Sequence, residues 1–135
     1  MHSAAVVLMG IAGMAFGWFV YSRFIAIRIY RLDPDFVTPA HAFNDGRDFV
    51  PTHRYVLWGH HFTSVAGAAP IVGPAIAVYW GWVPAVVWVV LGTIFFAGVH
   101  DFGALWASNR HQGRSMGALA GDVIGKRTRS LYMIV

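Results

Sequence analysis

The sequence has no cysteine and few charges: of its 135 residues, only 12% are Asp, Glu, Lys or Arg. Without thiols there is no disulfide frame, no thiol nucleophile and no thiolate metal site, and the redox compartment cannot be read. The scarcity of charge excludes an ordinary water-soluble domain, which carries about 25% charged residues, most of them at its surface. Acidic residues are scarcer than basic ones, six against ten, for a formal net charge of +4. In a soluble protein that excess would raise nucleic acid as a partner. In a membrane protein it sets orientation instead, and no nucleic-acid partner is expected.

What is present is apolar: 57% of residues fall in the set AVILMFWYC, and the mean hydropathy is +0.55. Fifteen Gly and six Trp suit close helix packing in lipid and aromatic belts at its surface, so the expected partner is a lipid bilayer. Residues 3–22 carry no charged side chain. At about 1.5 Å per residue this run crosses the roughly 30 Å hydrocarbon layer. Met1-His2 supplies no basic side chain ahead of the run and Arg23 follows it, so it reads as a span rather than a cleaved signal peptide. Within it, Gly13 and Gly17 form a small-xxx-small pair, open to close helix approach or to plain tolerance of glycine in lipid.

Residues 23–54 are polar and turn-rich, with Asp33-Pro34-Asp35, Thr38-Pro39 and Asn44-Asp45-Gly46. These restrict φ or let side chains bond the local backbone, so a long loop is expected. A second apolar stretch covers 55–79 and a third 83–107, the latter entered through Trp80-Gly81-Trp82. Residues 108–130 read as another polar loop, and 131–135 as the start of a fourth span. All ten basic residues fall on or beside the two loops. The positive-inside rule makes both loops cytoplasmic and places the N-terminus outside.

The second stretch holds the chemistry. Gly67, Pro70, Gly73 and Pro74 interrupt its centre, and proline removes a backbone donor while crowding the preceding turn. Non-helical backbone at membrane depth survives only in protein or beside a wet cavity. Such a break serves either as a substrate site, offering a half-helix N-terminus to an anion and free carbonyls to a cation, or as a kink without a ligand. His60 and His61 project about 100° apart on a helix and do not readily chelate one ion. A single histidine relaying a proton or bonding a neighbouring helix fits better. Thr63 and Ser64 either bond back to their own helix or face a ligand. Asp101, next to His100, is the sole acidic residue inside an apolar stretch; it lies either at the inner interface or in the bundle, where protonation could couple to transport. His2, His41, His53 and His111 are expected in loops. No nucleophile-base pair, phosphate loop, resident metal or cofactor is indicated, and no enzyme activity is expected.

In order along the chain stand Asp33-Pro34, Thr38-Pro39-Ala40, Asn44-Asp45-Gly46 with Asp48-Phe49-Val50-Pro51-Thr52, Gly59-His60-His61-Phe62, Ala66-Gly67-Ala68 with Pro70 and Val72-Gly73-Pro74, Asp101-Phe102, and Gly113-Arg114-Ser115. From about Tyr21 onward this pattern resembles the N-terminal portion of the carbon starvation protein A (CstA) family of bacterial membrane transporters. The resemblance implies uptake of pyruvate with protons, or of short peptides, during carbon starvation, in the cytoplasmic (inner) membrane. It also implies an inverted-repeat transporter fold whose broken helix would be 55–79, with His60, His61, Gly67, Pro70, Gly73, Pro74 and Asp101 matching its motifs; these, together with Ser64 from the reading of the span itself, are the expected substrate or coupling-ion residues. Family members are several times longer, so the remaining helices of the same transporter, or another membrane subunit, are expected partners.

The expected fold is thus an all-α membrane protein of three transmembrane helices and the start of a fourth, the second helix broken at Gly/Pro. Two other readings compete with the transporter. One is a small three-span subunit that packs in a larger complex through Gly13 and Gly17. The other is a metal- or haem-binding anchor using His60 and His100.

Overall fold

The computed structural model describes residues 3–134, so His2 and Val135 lie outside the described residues. Among the described residues all regular secondary structure is helical. Seven helices follow in chain order: α1 (Ser3–Ile29), α2 (Pro39–Ala42), α3 (Arg54–Val65), α4 (Ala68–Tyr79), α5 (Trp82–Arg110), α6 (Met116–Val123) and α7 (Lys126–Ile134). α1 and α5, with 27 and 29 residues, are long and apolar enough to cross a membrane; α3 and α4 together are apolar enough too, but are bent by 50° at a short break. α1 is wound as a π-helix at Gly17–Tyr21 and Ile25–Ile29, and α5 at Thr93–Ala97.

Several helix ends differ from the sequence expectation. α1 continues past residue 22 through Arg23 and Arg28 to Ile29, because a charged head on a long apolar stem reaches water without ending the backbone hydrogen-bond ladder. Residues 108–130 are not one loop: α5 runs on to Arg110, and α6 and most of α7 fall inside that stretch. Ser115 caps α6, its hydroxyl accepting the Ala118 amide at 3.4 Å, as Ser-x-x openings do. His41 lies in α2, a single turn started by Thr38 at the N-cap and Pro39 at the first helical position.

The described residues form two compact units, one of 3–31 and 52–99, the other of 32–51 and 100–134. In the first, α1 packs against α5 through its glycines. A Cβ added to Gly13 would stand 2.7 Å from Val90 Cγ1, and one on Gly17 would stand 2.8 Å from Ile94 Cγ1. The seam continues with the Tyr21 and Phe95 rings, edge to face at 4.7 Å, and with the Tyr30 hydroxyl donating to the Val99 carbonyl at 3.3 Å. The partners rise in number together, so α1 and α5 run parallel. The small-xxx-small pair is therefore filled by a helix of the same chain. Burial is sparse, with Ile25, Ala85 and Ile94 the buried apolar residues here, while Trp18 is 72% and Ile71 71% exposed. Such apolar exposure suits helices surrounded by hydrocarbon or by further apolar helices rather than by water. Between α4 and α5 the chain turns at Gly81, whose φ of +115° only glycine adopts without strain.

In the second unit, Asp45 organises the turn. Its Oδ1 accepts the amides of Arg47, Asp48 and Phe49, each at 2.9 Å, and these bonds, led by that from Phe49, hold its carboxyl below the usual value of 3.8. Phe49 then packs on Gly113, where a Cβ would lie 3.2 Å from the Phe49 ring and 3.7 Å from Pro39, and where φ is +73°. Arg114 pairs with Asp122 at 2.6 Å. Three of the sequence motifs, around Pro39, Asn44-Asp45-Gly46 and Gly113-Arg114-Ser115, thus meet in one structural assembly.

Candidate functional site

The break between α3 and α4 falls at Ala66-Gly67, ahead of both prolines. The Ala66 amide still reaches the Phe62 carbonyl at 2.9 Å, but the Gly67 amide turns to Val65 at 2.8 Å. A continuing helix would have bonded it to Thr63, so the Thr63 carbonyl is released from the ladder. On the far side, Gly67 caps α4 with extended backbone and no side-chain bond, and the first amides of α4 point back toward the break. The break therefore joins a helix C-terminus, with its negative dipole end, to a helix N-terminus with its positive end.

The two prolines have different effects. Pro70 sits in the first turn of α4, where an amide would have no helical partner anyway. Pro74 lies inside α4 and removes the donor that would have closed on the Pro70 carbonyl. Both line a cavity of about 320 Å³ in the first unit, between α4, which contributes Ala69, Pro70, Gly73 and Pro74, and α5, which contributes Gly92, Thr93 and flanking apolar residues. Gly73 leaves open space, since an added Cβ would meet nothing within 4 Å. The same holds at Gly67.

Thr93 is the residue that motif reading misses. It is the sole hydroxyl in the apolar run 83–99, and it opens the π-helical turn of α5 on the cavity wall. A lone hydroxyl in that apolar run was the signal available in the sequence; the π-turn is visible only in the structure.

The remaining candidates are placed as follows. His60, exposed, and His61, half-buried, lie on α3 and are not among the residues lining the α4–α5 cavity. The Ser64 hydroxyl donates to the His60 carbonyl at 2.9 Å and that of Thr63 to Gly59 at 2.8 Å, so both bond back to their own helix and keep oxygen lone pairs to spare. His100 and Asp101 belong to the second unit, with Nδ1 and Oδ1 3.0 Å apart; the Asp101 side chain is 30% exposed and that of His100 82%. Among the described residues no three His, Asp or Glu gather in a metal-holding group.

The family model described as carbon starvation protein CstA matches residues 2–135. The chain is similar to the peptide transporter CstA of Campylobacter jejuni, 44% identical over 87% of this chain and 17% of that one. It is similar to the peptide transporter CstA of Bacillus subtilis, 36% identical over 93% of this chain and 21% of the relative. It is also similar to the pyruvate/proton symporter BtsT of Escherichia coli, 44% identical over 78% of this chain and 15% of the relative. The chain thus spans between 15% and 21% of the length of these relatives. No solved structure matches it.

Proposed function

The chain belongs to the carbon starvation protein CstA family, and from that premise we propose that it forms part of a secondary transporter that takes up pyruvate or short peptides, coupled to protons. α1, the α3–α4 pair and α5 are its three membrane spans, α3–α4 being the broken one, and α7 begins a fourth. The parallel register of Gly13 with Val90 and Gly17 with Ile94 supports this count. Two parallel spans require the chain between them to recross the bilayer, and α3–α4 is the apolar segment available for that return. The basic loops then lie on the cytoplasmic side of the bacterial inner membrane and the N-terminus outside. The fold is that of an inverted-repeat transporter, completed by further helices of the same protein.

The observation that carries the reading is the break at Ala66-Gly67 beside a cavity lined by Pro70, Gly73, Pro74 and Thr93. The α4 N-terminus, with Gly67 leaving its amides open, receives the substrate carboxylate, as helix N-termini receive anions. His60, His61 and Ser64 on α3 and, separately, Asp101 on α5 are the candidate coupling residues, with Asp101 or a histidine carrying the proton. The test is uptake of pyruvate and of a dipeptide by vesicles holding the full-length protein under an imposed proton gradient. Asp101→Asn is expected to uncouple uptake from the gradient and Pro70→Ala to lower it. Unchanged uptake in both variants would overturn the residue assignment, and absence of gradient-driven uptake in the parent protein would overturn the function.

A further inference from the structure

A second cavity, of about 270 Å³, lies in the unit formed by 32–51 and 100–134, against the last two turns of α5. Its lining differs in kind from that of the α4–α5 cavity. Phe36, Phe102, Leu105 and Trp106 make apolar walls, while Asp33 and Arg110 bring opposite charges to one space. Unlike His100 with Asp101 and Arg114 with Asp122, Asp33 and Arg110 do not close on each other. The Arg110 guanidinium is held 4.9 Å over the Trp106 ring. Stacking uses the face of the guanidinium and leaves its in-plane N–H donors open to an anion. Asp33 accepts the Asp35 amide through Oδ1 at 3.0 Å, and a carboxylate has further lone pairs for an ammonium.

The position of this cavity on α5 narrows the ligand. At about 1.5 Å per residue, Arg110 stands roughly 42 Å along the helix from Trp82, past the ~30 Å hydrocarbon layer and level with lipid headgroups. A Trp and a stacked Arg at that depth are an interfacial pair. We propose that this cavity binds the headgroup of an aminophospholipid, its phosphate on Arg110 and its primary ammonium on Asp33, with the four apolar side chains against the glycerol and first methylenes. A choline headgroup has no N–H for Asp33, and a glycerol headgroup has no cation. The inference rests on α5 crossing the membrane.

The experiment measures binding of dioctanoyl phosphatidylethanolamine, phosphatidylcholine and phosphatidylglycerol to the purified full-length protein in detergent. O-phosphoethanolamine is included as the headgroup without chains. The ethanolamine lipid is expected to bind about tenfold more tightly than the other two, the effect of one charge-assisted hydrogen bond. Asp33→Asn should erase that preference, and Arg110→Gln should weaken all three phospholipids about tenfold. Equal binding of ethanolamine and choline lipids by the parent protein would overturn the proposal, as would a preference that survives Asp33→Asn. So would O-phosphoethanolamine binding as tightly as the lipid, which would make the ligand a free solute. Flotation with vesicles after alkaline extraction reports on the span separately. A protein that stays in the bilayer yet shows no headgroup preference overturns the site alone, whereas release from the bilayer overturns the membrane reading.

Discussion

The side chain that Gly13 lacks is the space that Val90 fills, Val90 Cγ1 lying 2.7 Å from where a Cβ would stand. Four residues on, Gly17 meets three Ile94 carbons between 2.8 and 3.4 Å in the same way. Gly10, one turn earlier, faces nothing within 4 Å. Gly13→Leu and Gly17→Leu should each destabilise the protein in detergent by about 1–3 kcal/mol, the usual range for overpacking a tight contact. Gly10→Leu, placed in open space within the helix, should cost no stability and gain up to about 1 kcal/mol of helix propensity, and an equal loss at all three glycines would contradict the seam.

At the break, Pro74 withholds a donor from the Pro70 carbonyl. Pro74→Ala should restore that bond and raise thermal stability, since an interior proline costs a helix about 3 kcal/mol. Uptake should fall in the same variant if the altered backbone serves substrate binding. A more stable protein with full uptake would assign Pro74 a purely structural role.

Asp45 is an acid whose native bonds favour its charged form, and the sign of its pH effect follows. Its folded pKa lies below 3.8, so its contribution is complete above that value and is lost as pH falls through the folded pKa. Carbon NMR of the labelled carboxyl should give a midpoint below 3.8. Asp45→Ala should speed amide exchange at Arg47, Asp48 and Phe49 at neutral pH, while amides of α6 stay protected.

Gly113 combines a φ of +73° with a ring 3.2 Å from its would-be Cβ. Gly113→Ala should destabilise the second unit by roughly 1–2 kcal/mol through the left-handed backbone, with a further cost because its Cβ presses on the Phe49 ring, and Gly113→Val by more because its two methyls must push that ring further. Limited proteolysis within 32–51 should accelerate in that order.

The break itself shows how far composition reaches. Gly67, Pro70, Gly73 and Pro74 announce that residues 55–79 cannot form one straight helix, because glycine and proline act on the backbone locally. Where the helix parts is a different matter. Pro70 is absorbed into a first turn and Pro74 into a helix interior, and the chain opens at Ala66-Gly67 instead. Arg23 and Arg28 mislead in the opposite sense, since charge marks where lipid ends and says little about where a hydrogen-bonded ladder does.

The amino-acid sequence alone determines the solvent, the long apolar runs, the asymmetry of basic residues and the order of motifs that marks the family. Each of these is a property of residue types and their spacing. Tertiary structure decides what no spacing encodes: that Gly13 and Gly17 receive Val90 and Ile94 of the same chain, that Phe49 rests on Gly113, and that Thr93 shares a cavity with Pro70 and Pro74. Those pairs lie from 19 to 77 positions apart in the sequence, and only packing at van der Waals distance selects one partner among many apolar candidates.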